Sequence, residues 1–197
     1  PFVELVKGSL NTFVNAMTFS DKTIYPVAST NKKDFMHLMS VYLDAVFKPN
    51  FYSNAQILAQ EGWHHHLESA EDDLIYKGVV YNEMKGATAS PERQVQQHLT
   101  HQLYPNSIYR HESGGNPKAI PSLTQEEFVA FHQTYYHPSN SLTVLYGDID
   151  KKETFAALED YFSGAGKQSE KVDLSFEPAV PDDAVFEDTY SITAGDN

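Results

Sequence analysis

The apolar positions of this chain change period several times, and those changes divide it into elements. Phe2, Val3, Leu5, Val6 and Leu10 recur at roughly helical spacing and read as the end of a helix and its exit. Asn11 to Thr18 and Thr23 to Ala28 flank the turn signal Ser20-Asp21-Lys22 and predict an antiparallel strand pair. Phe35, Leu38, Met39, Tyr42, Leu43 and Val46 then form a continuous helical stripe. Thr30 or Asn31 caps it, Asp34 suits its first turn, and Pro49 stops it near Lys48. A shorter helix is expected from Asn54 to about Gln60, ended by Gly62.

Trp63 to Glu68 reads as a strand carrying three consecutive histidines, followed by an acidic loop from Ser69 to Asp73. A helix is expected from about Lys77 to Ala87. Another follows from Ser90-Pro91-Glu92 to about Leu103, with Ser as cap and Pro in the first turn. Tyr104 to Ser122 is a long connection rich in Gly and Pro that must cover something or hold short turns. Thr124 and Glu127 form a capping box for a helix whose Phe128, Phe131, His132 and Tyr135 share a face. Leu142 to Tyr146 reads as a short strand, and Asp150 caps a last helix facing the core with Phe155, Leu158 and Phe162. The order lacks strict strand–helix alternation. It predicts an α+β fold, a mostly antiparallel sheet with helices on one face. The expected division is an α+β domain over 1–163, a polar linker over 164–184 and the start of a second domain over 185–197.

Composition narrows the function classes. Cysteine is absent, so disulfides and thiolate metal sites are excluded, and any metal ligand must be His, Asp or Glu. A net charge of -13 argues against nucleic acid held through phosphates. It makes a solubilising acidic surface, and it is compatible with a cleft that attracts cationic peptides. No apolar run approaches the length of a membrane span, so no membrane partner is expected. The absence of cysteine fits a bacterial cytoplasmic protein.

One stretch organises the candidate chemistry: Tyr76-Lys77-Gly78-Val79-Val80-Tyr81-Asn82-Glu83-Met84-Lys85-Gly86. Glu83 is a single carboxylate in an otherwise apolar or backbone-constrained run, where its partner can be a metal, a cation or water. His98 and His101 lie three apart and could share a helix face, which with Glu83 makes a possible metal set. His64, His65 and His66 read as an exposed polar strand. His132 and His137 read as helix-face and helix-end residues. Ser113-Gly114-Gly115 lacks the Lys of a phosphate loop and reads as a tight turn.

Several pieces in order then resemble a known family: Gly8-Ser9-Leu10-Asn11-Thr12-Phe13, Asn15-Ala16, Tyr25-Pro26, Val41-Tyr42-Leu43-Asp44-Ala45, Gln60-Glu61-Gly62-Trp63, Tyr76 to Gly86, Ser113 to Pro117, and Tyr136-His137-Pro138-Ser139-Asn140. Together they resemble the pitrilysin/insulinase family of zinc metallopeptidases, in its presequence-protease-like branch. The resemblance implies a Zn2+ site in which an inverted H-x-x-E-H motif supplies two histidines and a water-activating glutamate. Glu83 matches the family's third ligand. Asn15 and Ala16 match an edge strand that accepts a peptide as an added strand.

The chain contains no H-x-x-E-H. Its nearest decoy, His65-His66-Leu67-Glu68-Ser69, has Ser in place of the second histidine. Tyr76 stands where many family members carry a second carboxylate. The resemblance therefore implies a fragment that begins just after the motif, has no catalytic residue of its own and is inactive alone. It implies unfolded peptides and the remaining halves of the same polypeptide as partners, in a bacterial cytoplasm or an organellar matrix. The competing expectation is a catalytically dead relative serving as a peptide-binding or structural subunit.

Overall fold

A computed structural model describes residues 7–166, 184–187 and 189. The chain forms two compact units. Among the described residues the first comprises 7–17, Ile24–Asn54 and 126–166, and the second Thr18–Thr23 and Ala55–Gln125. The architecture is α+β, with antiparallel two-stranded ladders beside helices.

In the first unit, β1 (Asn11–Val14) pairs antiparallel with β4 (Val27–Ser29), and its register slips between Asn11 and Phe13. The ladder continues through the bond from the Asn15 N–H to the Pro26 carbonyl, 3.1 Å. The short strands β2 (Met17–Thr18) and β3 (Thr23–Ile24), whose Thr18 and Thr23 belong to the second unit, form a further ladder. The expected strand pair is therefore present but interrupted at Asn15-Ala16 and Tyr25-Pro26. Proline has no N–H to return to Asn15, which breaks the ladder there.

Helix α1 (Lys32–Phe47) packs against β1 and β4. Asn31 caps it, its side chain accepting from the Asp34 N–H at 3.1 Å. Leu38, Met39 and Tyr42 are its buried stripe. Helix α4 (Gln125–Tyr135) and helix α5 (Lys151–Phe162, capped by Asp150) supply His132, Thr154 and Leu158 to the same core. Two expected helix faces are rotated. On α5 the buried positions are Thr154 and Leu158, while Phe155 is 58% exposed. The inward row beginning on α4 is Phe128, His132 and Tyr136, four apart, and Phe131 and Tyr135 pack on each other outside it with ring centroids 4.6 Å apart. Leu142 to Tyr146 makes no strand. No described strand lies beside it to accept its hydrogen bonds, and Leu142, Val144 and Tyr146 are exposed.

In the second unit, β5 (His64–His66) pairs antiparallel with β6 (Ile75–Lys77). Helix α2 (Val79–Ala87) follows directly, and Ser90 caps helix α3 (Pro91–Leu103). The helix expected from Asn54 to Gln60 and ended by Gly62 is present over 56–62, widening to a π-helix at Leu58–Gly62, and a 3-10 turn at Asn50–Tyr52 precedes it. Helix α2 begins two residues later than expected because Lys77 is taken by the β6 ladder. The connection from Tyr104 to Ser122 holds 3-10 turns at Ile108–Arg110 and Ile120–Ser122. The linker expected over 164–184 and the strand expected from Val185 lie mostly outside the described residues.

Candidate functional site

Glu83 sits in the middle of α2, exposed, and its carboxylate makes no hydrogen bond among the described residues. The helix carrying it is located by backbone contact. Gly78, buried at φ 155°, lies against Gly62, where an added Cβ would collide with the Gly62 carbonyl and come within 2.7 Å of the Trp63 Cα. The wide turn of the Leu58–Gly62 coil brings that carbonyl to Gly78. On the residue after Glu83, the Met84 side chain packs where a Gly114 side chain would stand, so the Ser113-Gly114-Gly115 turn buttresses the helix.

An aromatic cluster flanks the same helix. His65 and Tyr76 oppose each other across the β5–β6 ladder with ring centroids 5.1 Å apart. Tyr76 also meets Trp63 at 5.8 Å and Tyr81 of α2 at 6.0 Å. Trp63 is fixed by its Nε1–H donating to the Leu123 carbonyl at 3.0 Å. Tyr76, the position where the resemblance implies a second carboxylate, is thus packed among aromatic rings.

The histidines fall into separate roles. On the opposite face of β5, His66 meets Glu68, which Lys77 also pairs at 3.0 Å; Lys77 and then His66 hold that carboxyl below its usual range. His101 faces His111, with ring centroids 6.4 Å apart. Burial depresses its pKa, and the neighbouring Arg110 charge lowers it further. No group of three His, Asp or Glu side chains is placed to hold a metal ion among the described residues. The set of Glu83, His98 and His101 is therefore not assembled.

In the first unit, Asn15 and Ala16 are exposed in the interruption between β1 and β2. The Asn15 N–H points into the ladder toward Pro26, and the next amide, that of Ala16, makes no bond into the ladder among the described residues. Instead the Asn15 Oδ1 accepts from it at 2.9 Å. Behind this edge lies an apolar cleft of about 590 Å³, whose wall includes Ala16, Tyr25, Phe51, Phe128, His132 and Tyr136. A half-buried polar chain lines it. The hydroxyls of Tyr25 and Tyr136 meet at 2.8 Å, and Tyr136 stacks on His132 at 4.4 Å. His132, 7% exposed, bonds the Val46 carbonyl through Nε2 and the Tyr52 hydroxyl through Nδ1, each at 2.7 Å. The carbonyl can only accept, so Nε2 carries the proton and the Tyr52 hydroxyl donates to Nδ1. Burial lowers the His132 pKa, partly offset by the Val46 carbonyl. Burial, then the bond to Tyr136, raises that of Tyr25.

Comparison with known proteins follows this geometry. Residues 122–190 match the family model described as "Peptidase M16 inactive domain". The chain is 59% identical over 162 residues to protein HypA of Clostridium perfringens, covering 82% of this chain and 17% of that protein. It is 52% identical over 161 residues to the chloroplastic/mitochondrial presequence protease 1 of Arabidopsis thaliana, covering 82% and 15%. The chain thus spans about a sixth of the length of these curated relatives. Its fold resembles the first half of the periplasmic protease PqqL from Escherichia coli, with a TM-score of 0.60 and 23% identity, over 83% of this chain and 32% of that one.

Proposed function

Because this chain belongs to the M16 peptidase family, we propose that it is part of a zinc-dependent peptidase that degrades unstructured peptides. Glu83 contributes one ligand to the metal. The observation that carries the reading is its carboxylate: exposed, free of hydrogen bonds among the described residues, and mounted on a helix pinned through Gly78. A carboxylate oxygen suits zinc, and a catalytic zinc takes three protein ligands with one open position. One carboxylate does not make such a site. The donors of this chain do not hold the ion by themselves, and the two histidines belong to polypeptide outside it. Relatives about six times longer leave room for them and for a facing half. By itself this chain is then inactive.

The edge at Asn15 and Ala16 is where the peptide pairs. Main-chain pairing of this kind reads few side chains, which suits broad specificity. The higher identity to a bacterial protein than to a chloroplastic/mitochondrial one favours a bacterial setting over an organellar one. The family model's description, an inactive domain, favours a second reading in which the protein is a peptide-binding subunit without activity.

One experiment separates the two. The full-length protein is assayed for peptide cleavage and zinc content, with chelator and zinc add-back, as wild type and as Glu83→Gln. The proposal expects about one zinc per chain, with loss of zinc and activity on substitution, since ligand changes are severe. Zinc-dependent cleavage indifferent to Glu83→Gln would refute the ligand assignment. Peptide binding with neither zinc nor cleavage would establish the second reading.

A further inference from the structure

We infer that Asn15 is an exchangeable cap on the peptide-pairing edge: its side chain occupies the amide of Ala16 while no peptide is bound and yields it to a peptide carbonyl on docking. This rests on the reading of Asn15 and Ala16 as the pairing edge.

The argument is one of hydrogen-bond geometry. The N–H of Asn15 is committed to Pro26 at 3.1 Å, inside the ladder. The next amide, that of Ala16, makes no bond into the ladder among the described residues. An open edge amide is the donor that an added strand needs, and it is also a liability, because any extended chain can pair with it. Here it is not open. Asn15 Oδ1 accepts from it at 2.9 Å, within ordinary hydrogen-bond range. The carboxamide oxygen is chemically a stand-in for a peptide carbonyl, and both residues are exposed, so the exchange meets no buried obstacle. The Asn15 NH2 has no partner among the described residues, so the released side chain keeps donors with which to meet the incoming backbone.

The cap lowers affinity for any single peptide and raises selectivity for segments that offer an extended backbone over several residues. A short or folded competitor gains one hydrogen bond and breaks one. A longer extended peptide breaks the same one bond and gains several.

The test uses hydrogen exchange at the Ala16 amide together with peptide affinity. The protein is the full-length chain, stripped of metal by chelator, and the probe is an uncharged unstructured peptide. In the free wild type the Ala16 amide is protected. Asn15→Ala removes that protection in the free protein and restores it with peptide bound, and it binds peptide roughly two- to tenfold more tightly, as one net hydrogen bond no longer competes. Asn15→Asp keeps the acceptor, keeps the amide protected and binds peptide more weakly than Asn15→Ala. Unchanged exchange at Ala16 in the free Asn15→Ala protein overturns the cap. Altered exchange with unchanged or weaker peptide binding shows a cap that does not compete, and equally overturns the inference. Peptide binding to the wild type that leaves every amide from Asn11 to Thr18 unaffected is a different failure: it removes the pairing edge itself.

Discussion

His132→Phe isolates what the buried histidine contributes through its nitrogens, since phenylalanine preserves the ring and its packing. The change deletes two hydrogen bonds of 2.7 Å and strands both partners. Val46 lies in the last turn of α1, Lys32–Phe47, where helix carbonyls have no intrahelical partner, so His132 closes the end of that helix from across the fold. Each net bond is worth about 1 kcal/mol, and a carbonyl left buried and unpaired costs about 1–3 kcal/mol. The Tyr52 hydroxyl is exposed enough to find water, so its share is small. The expected loss is about 2–4 kcal/mol, read as a lower urea midpoint at unchanged slope.

The pH dependence supplies a second readout. Burial holds the folded-state pKa of His132 below its ordinary 6.5. The unfolded chain therefore binds more protons in the interval between the two values. The contribution to stability is fully present above about 6.5 and is lost as pH falls through the folded value. Wild type should weaken over that window relative to His132→Phe, whose profile there is flatter. A double-mutant cycle with Tyr52→Phe should give a coupling on the order of 1 kcal/mol. A His132→Phe protein within about 0.5 kcal/mol of wild type, with the same pH profile, would refute the reasoning.

Two further substitutions bear on the scaffold. Gly78→Ala forces a side chain into the Gly62 backbone at a strongly positive φ, and should cost about 1–3 kcal/mol from backbone strain alone, lowering the melting temperature and, in the full-length protein, zinc affinity; a wild-type melting temperature would show that the contact is not needed to seat α2. Asn31→Ala removes the cap on α1 and should cost about 1 kcal/mol by chemical denaturation, with Asn31→Asp recovering most of it, whereas equal losses in both variants would argue against a capping role.

Local signals in the sequence proved accurate at three helix starts. Asn31, Ser90 and Asp150 cap the helices they were expected to cap, because a cap needs only the next three residues. The start of α2 was legible only to within two residues, since whether Lys77 is strand or helix depends on His64, which is thirteen positions away and pairs with it. Leu142 to Tyr146 carries strand propensity, yet propensity supplies no hydrogen-bonding neighbour. The break at Tyr25-Pro26 could have been foreseen from the proline alone. The candidate ligand and edge came from resemblance, not from spacing, and their local geometry adds the backbone contact at Gly78 and the bond at Ala16. The His132 network was beyond reach, because its partners lie 80 and 86 residues away.

The bare segment from Leu142 to Tyr146 has a practical consequence for handling. Leu142 is 88% exposed, Val144 78% and Tyr146 98%, with no ladder partner among the described residues. Apolar, strand-prone side chains with unpaired backbone are a template for self-association. Prepared alone, the chain should therefore gain mass with concentration despite its charge of -13. A lysine at Val144 should return it to a monomer in sedimentation while leaving the caps, the Gly78 contact and the Ala16 edge as they are.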